Sequence, residues 1–243
     1  MEIEEGLRLA ELSGNLDFQK YFRLFLDNVF LALGDYEAVL SDQAFAGDGM
    51  DEEDRIKSSF DRGCAHLVFQ RWDRAEEELT CFQQIYDSGS GIVENLVLVS
   101  IGGTQALLGY IAYRRGNLDS ARQFLIQALE NGLEMGYYMV LCYCLAVVSL
   151  MLCEKGDLSD GTELYRVAFA HPAIKNSRFM QDAFGQYIDP LLSQLPPEVL
   201  QAAQERGRQQ TREEAAQEWL QRLRNGLVLS LPLESRKSSY PLI

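Results

Sequence analysis

The chain has 243 residues and carries 36 Asp+Glu against 22 Lys+Arg, a formal net charge of −14. That excess argues against a nucleic-acid backbone as the main partner, because phosphate binding runs on Lys and Arg. A hydrophobic fraction of 47% is too high for a disordered chain, and the length allows one elongated domain or two small ones.

The first residues, Met1-Glu2-Ile3-Glu4-Glu5, lack the basic stretch of a secretory signal. Apolar period and capping residues then predict helices over 2–13, 17–33, 35–46, 51–69, 72–86, 92–115, 118–132, 134–155 and 158–170. Breakers separate them at the GDG of 47–49, the SGSG of 88–91, Gly132, and His171-Pro172. The uncharged run 137–153 holds three tyrosines and a serine and falls short of the roughly 20 apolar residues of a membrane span. A buried helix is the expectation there. The five cysteines, Cys64, Cys81, Cys142, Cys144 and Cys153, are odd in number and lie in helical patterns, which reads as buried thiols of a cytoplasmic protein.

Beyond Pro172 the character turns polar, with helices predicted over 174–193, 197–208 and 211–224. Pro197 suits a first helical turn, Glu198 complements its dipole, and Thr211 with Glu214 forms a capping box. Residues 225–243 lack helical period and read as a flexible tail, or as an apolar strip (LVLSLPL) that docks on the body or on a partner. No segment alternates with period two, so the fold class is all-α.

Four segments repeat a signature, aligned on turn residues Gly34, Gln70, Gly116 and Gly156 at spacings of 36, 46 and 40. Two residues after the turn stands a large apolar residue: Tyr36, Trp72, Leu118 or Leu158. Seven before it stand Asp27, Gly63, Gly109 and Ser149, and five after it Val39, Ala75, Ala121 and Gly161. A turn glycine takes positive φ, while Asp35, Asn117 and Asp157 can cap the following helix. Small residues on both sides let the two helices approach closely. Such a pair cannot bury its apolar face alone, so pairs must stack.

These residues resemble the tetratricopeptide repeat, most closely in the third unit (Leu108, Gly109, Gly116, Leu118, Ala121, Leu125, Ala128). The resemblance covers about 20–170 and implies a solenoid of about four helix pairs in residues 1–170. Residues 171–224 then cap it within the same domain. The closing segment also resembles the end of tetratricopeptide sensor regions in bacterial signal-transducing ATPases and transcription regulators, through Leu-Pro-Pro-Glu at 195–198 and the A-x-x-R-G-R … E-E-A pattern from Ala203 to Ala215.

Catalytic chemistry has little to stand on. No phosphate-binding G-x-x-x-x-G-K-[ST] run exists. His66 and His171 are the only histidines and sit in a repeat position and at a helix end. Cys142 and Cys144 point about 200° apart on a helix and cannot share a metal ion. The expectation is no enzyme, no metal and no cofactor. The resemblance instead implies a groove lined by the first helix of each pair: Tyr21 and Asn28, then Lys57, Phe60 and Cys64, then Tyr110, Tyr113 and Arg114, then Tyr143 and Leu150. Tyrosines beside an arginine suit a protein or peptide contact; packing between adjacent repeats is the other reading of Tyr110 and Tyr143. The acidic half, −9 over residues 1–60 against +2 over 201–243, is either a solvated exterior or a face that steers a basic partner. The expected function is a non-catalytic scaffold binding a protein or peptide, with no direct nucleic-acid or membrane contact. The alternative is a regulatory sensor chain working with an ATPase or effector chain.

Overall fold

The computed structural model describes residues 2–41, 58–87 and 95–226, and every regular element among them is helical. The N-terminal part contains α1 (Glu2–Ser13), α2 (Leu16–Leu33) and α3 (Tyr36–Ser41). Then come α4 (Ser59–Val68), α5 (Trp72–Asp87), α6 (Asn95–Arg114), α7 (Leu118–Met135), α8 (Tyr138–Lys155) and α9 (Leu158–Ala168). The C-terminal part holds α10 (Pro172–Lys175), α11 (Arg178–Met180), a π-helical turn (Gln181–Gly185), α12 (Gln186–Leu192), α13 (Pro197–Gln209) and α14 (Arg212–Arg224). The predicted segments 42–46 and 51–57, and the tail beyond Gly226, lie outside the described residues.

The four aligned turn residues all take positive φ: 84° at Gly34, 55° at Gln70, 82° at Gly116 and 102° at Gly156. Each ends one helix and reverses the chain into the next. Asp35 accepts a hydrogen bond from the Ala38 amide at 3.1 Å and Asn117 from that of Ser120 at 3.2 Å, so both cap as the sequence suggests. Asp157 does not; its carboxylate pairs with Lys155 at 3.0 Å instead. The small residues flanking the turns sit where helices touch. A Cβ on Gly63 would come within 2.7 Å of the Leu79 side chain, and the Ser149 hydroxyl donates to the Gly161 carbonyl at 2.7 Å.

Pairs α4/α5, α6/α7 and α8/α9 pack most extensively within themselves. Their first helices also touch in order, α2 on α4, α4 on α6 and α6 on α8, making one row. α8 lies deepest, against α6, α7, α9, α12 and α14, and every side chain from Val140 to Cys153 is buried. By length and composition α8 could cross a membrane; 78% of that stretch is buried inside the protein, which gives its apolar character a packing explanation. Cys64, Cys142, Cys144 and Cys153 are buried free thiols, whereas Cys81 is exposed, because it lies on the solvent side of α5.

One helix was expected over 174–193, and the chain breaks it. Asn176 closes α10, the Ser177 hydroxyl caps α11, a π turn follows, and Pro190 stands inside α12 without an amide hydrogen for the ladder. The predicted first-turn Pro197 and the Thr211/Glu214 capping box are both present. α13 packs on α9, and α14 on α7 and α8, with Ala215, Ala216, Trp219, Leu220 and Leu223 buried.

Candidate functional site

The broken segment decides the fate of the expected groove. α11 packs against α2 and α4, the π turn against α4 and α8, and α12 against α8, so the chain's own residues 178–192 lie across the row of first helices. Phe184 meets Tyr110 with ring centroids 5.2 Å apart and planes tilted by 58°, and Phe179 meets Tyr143 at 6.1 Å. The Tyr110 hydroxyl donates to the Ala183 carbonyl at 3.4 Å, and the Tyr36 hydroxyl donates to Asp182 at 2.8 Å.

The groove residues therefore stand otherwise than the resemblance implied. Tyr110 is 1% exposed, and Phe60, Cys64, Tyr113, Tyr143 and Leu150 are buried with it. In this conformation none of them offers side-chain area to a partner, because residues 179–184 cover that face. Tyr110 and Tyr143 do pack between helix pairs, Tyr110 edge-on to Trp72 at 6.0 Å and Tyr143 edge-on to Phe60 at 6.5 Å, and their rings also meet the C-terminal segment. Arg114 is largely buried: it pairs with Glu154 at 2.7 Å, donates to the Tyr110 hydroxyl at 2.9 Å and lies over the rings of Tyr110 and Tyr187. The Tyr113 hydroxyl donates to the same Glu154 at 2.6 Å. This network ties α6 to α8 and α12. Asn28 is exposed, yet its side-chain amide donates to Asp61 at 3.1 Å. Lys57 lies outside the described residues. Tyr21, 45% exposed, keeps the accessibility expected of it, and Asn28 is exposed as well.

Beneath Asn28 lies a feature the sequence did not single out. Asp27 and Asp61 are both buried between α2 and α4, and burial first, then the neighbouring Asp27 charge, pushes the Asp61 carboxyl well above the usual range. His66 is half-buried and burial lowers its pKa; His171 caps α10 through Nδ1 and lies 4.4 Å from the Tyr138 ring. Burial pushes the Cys142 thiol up to about 11 and that of Cys153 to about 12, so neither is a ready nucleophile. Among the described residues no three His, Cys, Asp or Glu side chains gather as metal ligands.

Most of the large apolar side chains exposed among the described residues lie on the N-terminal hairpin, with Phe69 and Val199 exposed elsewhere. Leu9 and Leu12 of α1, Leu16, Phe18 and Tyr21 of α2, and Leu33 are exposed, Leu12 by 72% and Phe18 by 56%. Tyr21 contacts Phe22 and Phe25 at 5.7 and 4.7 Å, and Phe18 stacks on Phe22. The main core begins only at Phe30 and Leu31, leaving α1 and the first turns of α2 outside it. A period of 3.6 in 2–33 gave no sign of this, since an apolar stripe looks the same whether a neighbour covers it or not. No family model, curated protein or solved structure matches the chain.

Proposed function

We propose that the chain is a non-catalytic protein-binding module of tetratricopeptide-like helical pairs, and that it docks a basic, amphipathic segment of a partner protein on the α1–α2 hairpin. The observation that carries this reading is the set of exposed apolar side chains Leu9, Leu12, Leu16, Phe18 and Tyr21 on a hairpin that the main core does not support. Terminal pairs of stacked-helix proteins ordinarily present a polar outer face, and a large exposed apolar patch marks an interaction surface. Residues 1–41 carry eight acidic and three basic side chains, with exposed Glu5, Glu11 and Asp17 around the patch. A second copy of the hairpin would bring like charge against like; a basic partner meets complementary charge.

The test is binding of a synthetic Lys/Leu amphipathic helix, with a Glu/Leu peptide as control, followed by fluorescence anisotropy. Leu12→Asp with Phe18→Asp should weaken the Lys/Leu complex about tenfold or more while the thermal melt stays near the parent's, since both side chains are exposed. Equal affinity for both peptides, indifference to the double variant, or a dimer in sedimentation that the variant dissolves would each overturn the reading.

A second reading, a regulatory sensor chain, draws support from residues 178–192. They occupy the face on which a groove-binding partner of this repeat class would lie, so exchange of this segment for a partner would be a regulated step.

A further inference from the structure

The segment across the row of first helices has a second face. Behind it, α9, α10, the π turn, α12 and α13 surround a cavity of about 500 Å³. That is within the range of small-molecule sites, roughly 300–1,000 Å³. Phe169, Leu192 and Leu200 supply apolar wall, and the Tyr165 ring stacks against Phe169 at 4.4 Å. Arg166 and Lys175 both line the cavity, and neither has an ion-pair or hydrogen-bond partner among the described residues. Opposite in charge is Asp189, held in place by the Gln181 amide, which donates to it at 2.8 Å. The Tyr165 hydroxyl bonds to the same carboxylate; burial and that negative charge push its pKa up, so it stays a donor.

Two features fix these groups. Gly207 brings α13 so close to α9 that an added Cβ would stand 2.5 Å from the Glu163 carbonyl and 2.9 Å from Arg166 Cβ, which clamps the stem of Arg166. The π turn places Gln181 where it reaches Asp189, and π turns are often retained at functional sites.

We infer that this cavity is a binding site for a small organic monocarboxylate that carries an apolar body and one hydroxyl donor. Two cations and one carboxylate leave a single positive charge to be met, which suits a monoanion. A dianionic phosphate would instead meet the Asp189 carboxylate at close range. The Arg166 fork matches a ligand carboxylate, the hydroxyl donates to Asp189, and the ring or chain lies on Phe169, Leu192 and Leu200. The site is independent of the hairpin surface proposed above, so either can fail without the other.

The experiment is a ¹⁵N–¹H correlation titration of the full chain with 4-hydroxyphenylacetate at millimolar concentrations. Saturable shifts should appear in residues 163–169 and 189–193. 4-Hydroxyphenethyl alcohol, lacking the carboxylate, should bind about tenfold more weakly, the scale of one lost charge-assisted contact. Arg166→Gln keeps the Cβ and Cγ that Gly207 packs on; combined with Lys175→Gln it should abolish the shifts while leaving the circular dichroism melt in place. Lys175→Gln alone, at an exposed position, should weaken binding several-fold. Absence of saturable shifts, or shifts that survive removal of both cations, would overturn the inference.

Discussion

Asp61 sits on α4 with its carboxylate sealed from water, facing Asp27 and Asn28 of α2 and Arg62 of its own helix. Arg62 is itself committed to Glu78 at 2.9 Å and to Ser58, so it offsets the buried charge only in part. The folded pKa lies well above the ordinary 3.8, so the native state retains a proton that the unfolded chain releases. The associated stability is full below pH 3.8 and is lost as pH rises through the folded pKa. Asp61→Asn cannot ionise and should raise the unfolding free energy read from a urea titration at neutral pH by about 1–3 kcal/mol, the scale of one unsatisfied buried polar group. Near pH 3.8 the gap between variant and parent should close. Matching midpoints at neutral pH would show that the Asp61 carboxylate is well solvated and ionises as freely in the folded chain as in the unfolded one. At the same scale, Tyr110 and Tyr113 now belong with the core, and truncating either removes packing as well as hydroxyl bonds.

At the scale of elements, one turn differs from the other three. The α4–α5 reversal uses Gln70 at φ 55°, where the others use glycine. A non-glycine residue in that region costs about 1–2 kcal/mol, while glycine gives back about 0.4–1 kcal/mol through the unfolded chain. The Gln70 amide donates to the Tyr187 hydroxyl at 3.1 Å, an exposed bond worth little. Gln70→Gly should therefore stabilise the protein by about 0.5–1 kcal/mol in a urea titration with unchanged slope. A loss would mean that the Tyr187 contact anchors α12 more firmly than its exposure suggests. The short elements 178–192 behave differently from the long pairs. Phe179, Phe184 and Ile188 are buried there, and the two phenylalanine rings meet Tyr143 and Tyr110 of distant helices.

Across the whole molecule, stability is distributed unevenly along the stack. The core runs from Leu31 to Leu223 and takes buried side chains from every described helix except α1 and α13; Leu200 of α13 packs against it, while the buried Ala10 and Ala203 stay outside. A 12-residue helix such as α1 is marginal on its own, and it packs on α2. In hydrogen–deuterium exchange read by mass spectrometry, α1 should exchange through local opening well before α8, whose amides should require global unfolding. Equal protection of the two would show that the hairpin is part of the cooperative unit, and would weaken the case that it awaits a partner.

Most of the described helices up to Ala168 were legible in the sequence because their determinants are local, although Gly132, expected to break the chain, lies inside α7, which runs on to Met135 and ends at Gly136. A 3.6-residue apolar period, a positive-φ residue at Gly34, Gln70, Gly116 and Gly156, and an adjacent cap at Asp35 or Asn117 all act within a few residues. Thr211 and Glu214 announced α14 in the same way. What lies on which face was not legible. Tyr110 meets Phe184, and Tyr36 meets Asp182, across more than 70 residues of chain, and periodicity states only that a face is apolar. Whether a neighbour, a folded-back segment or solvent covers it depends on where helices far apart in the chain come to rest. The filled face of the first helices, the open hairpin at the other end and the charged cavity behind residues 178–192 were therefore decided by tertiary packing alone.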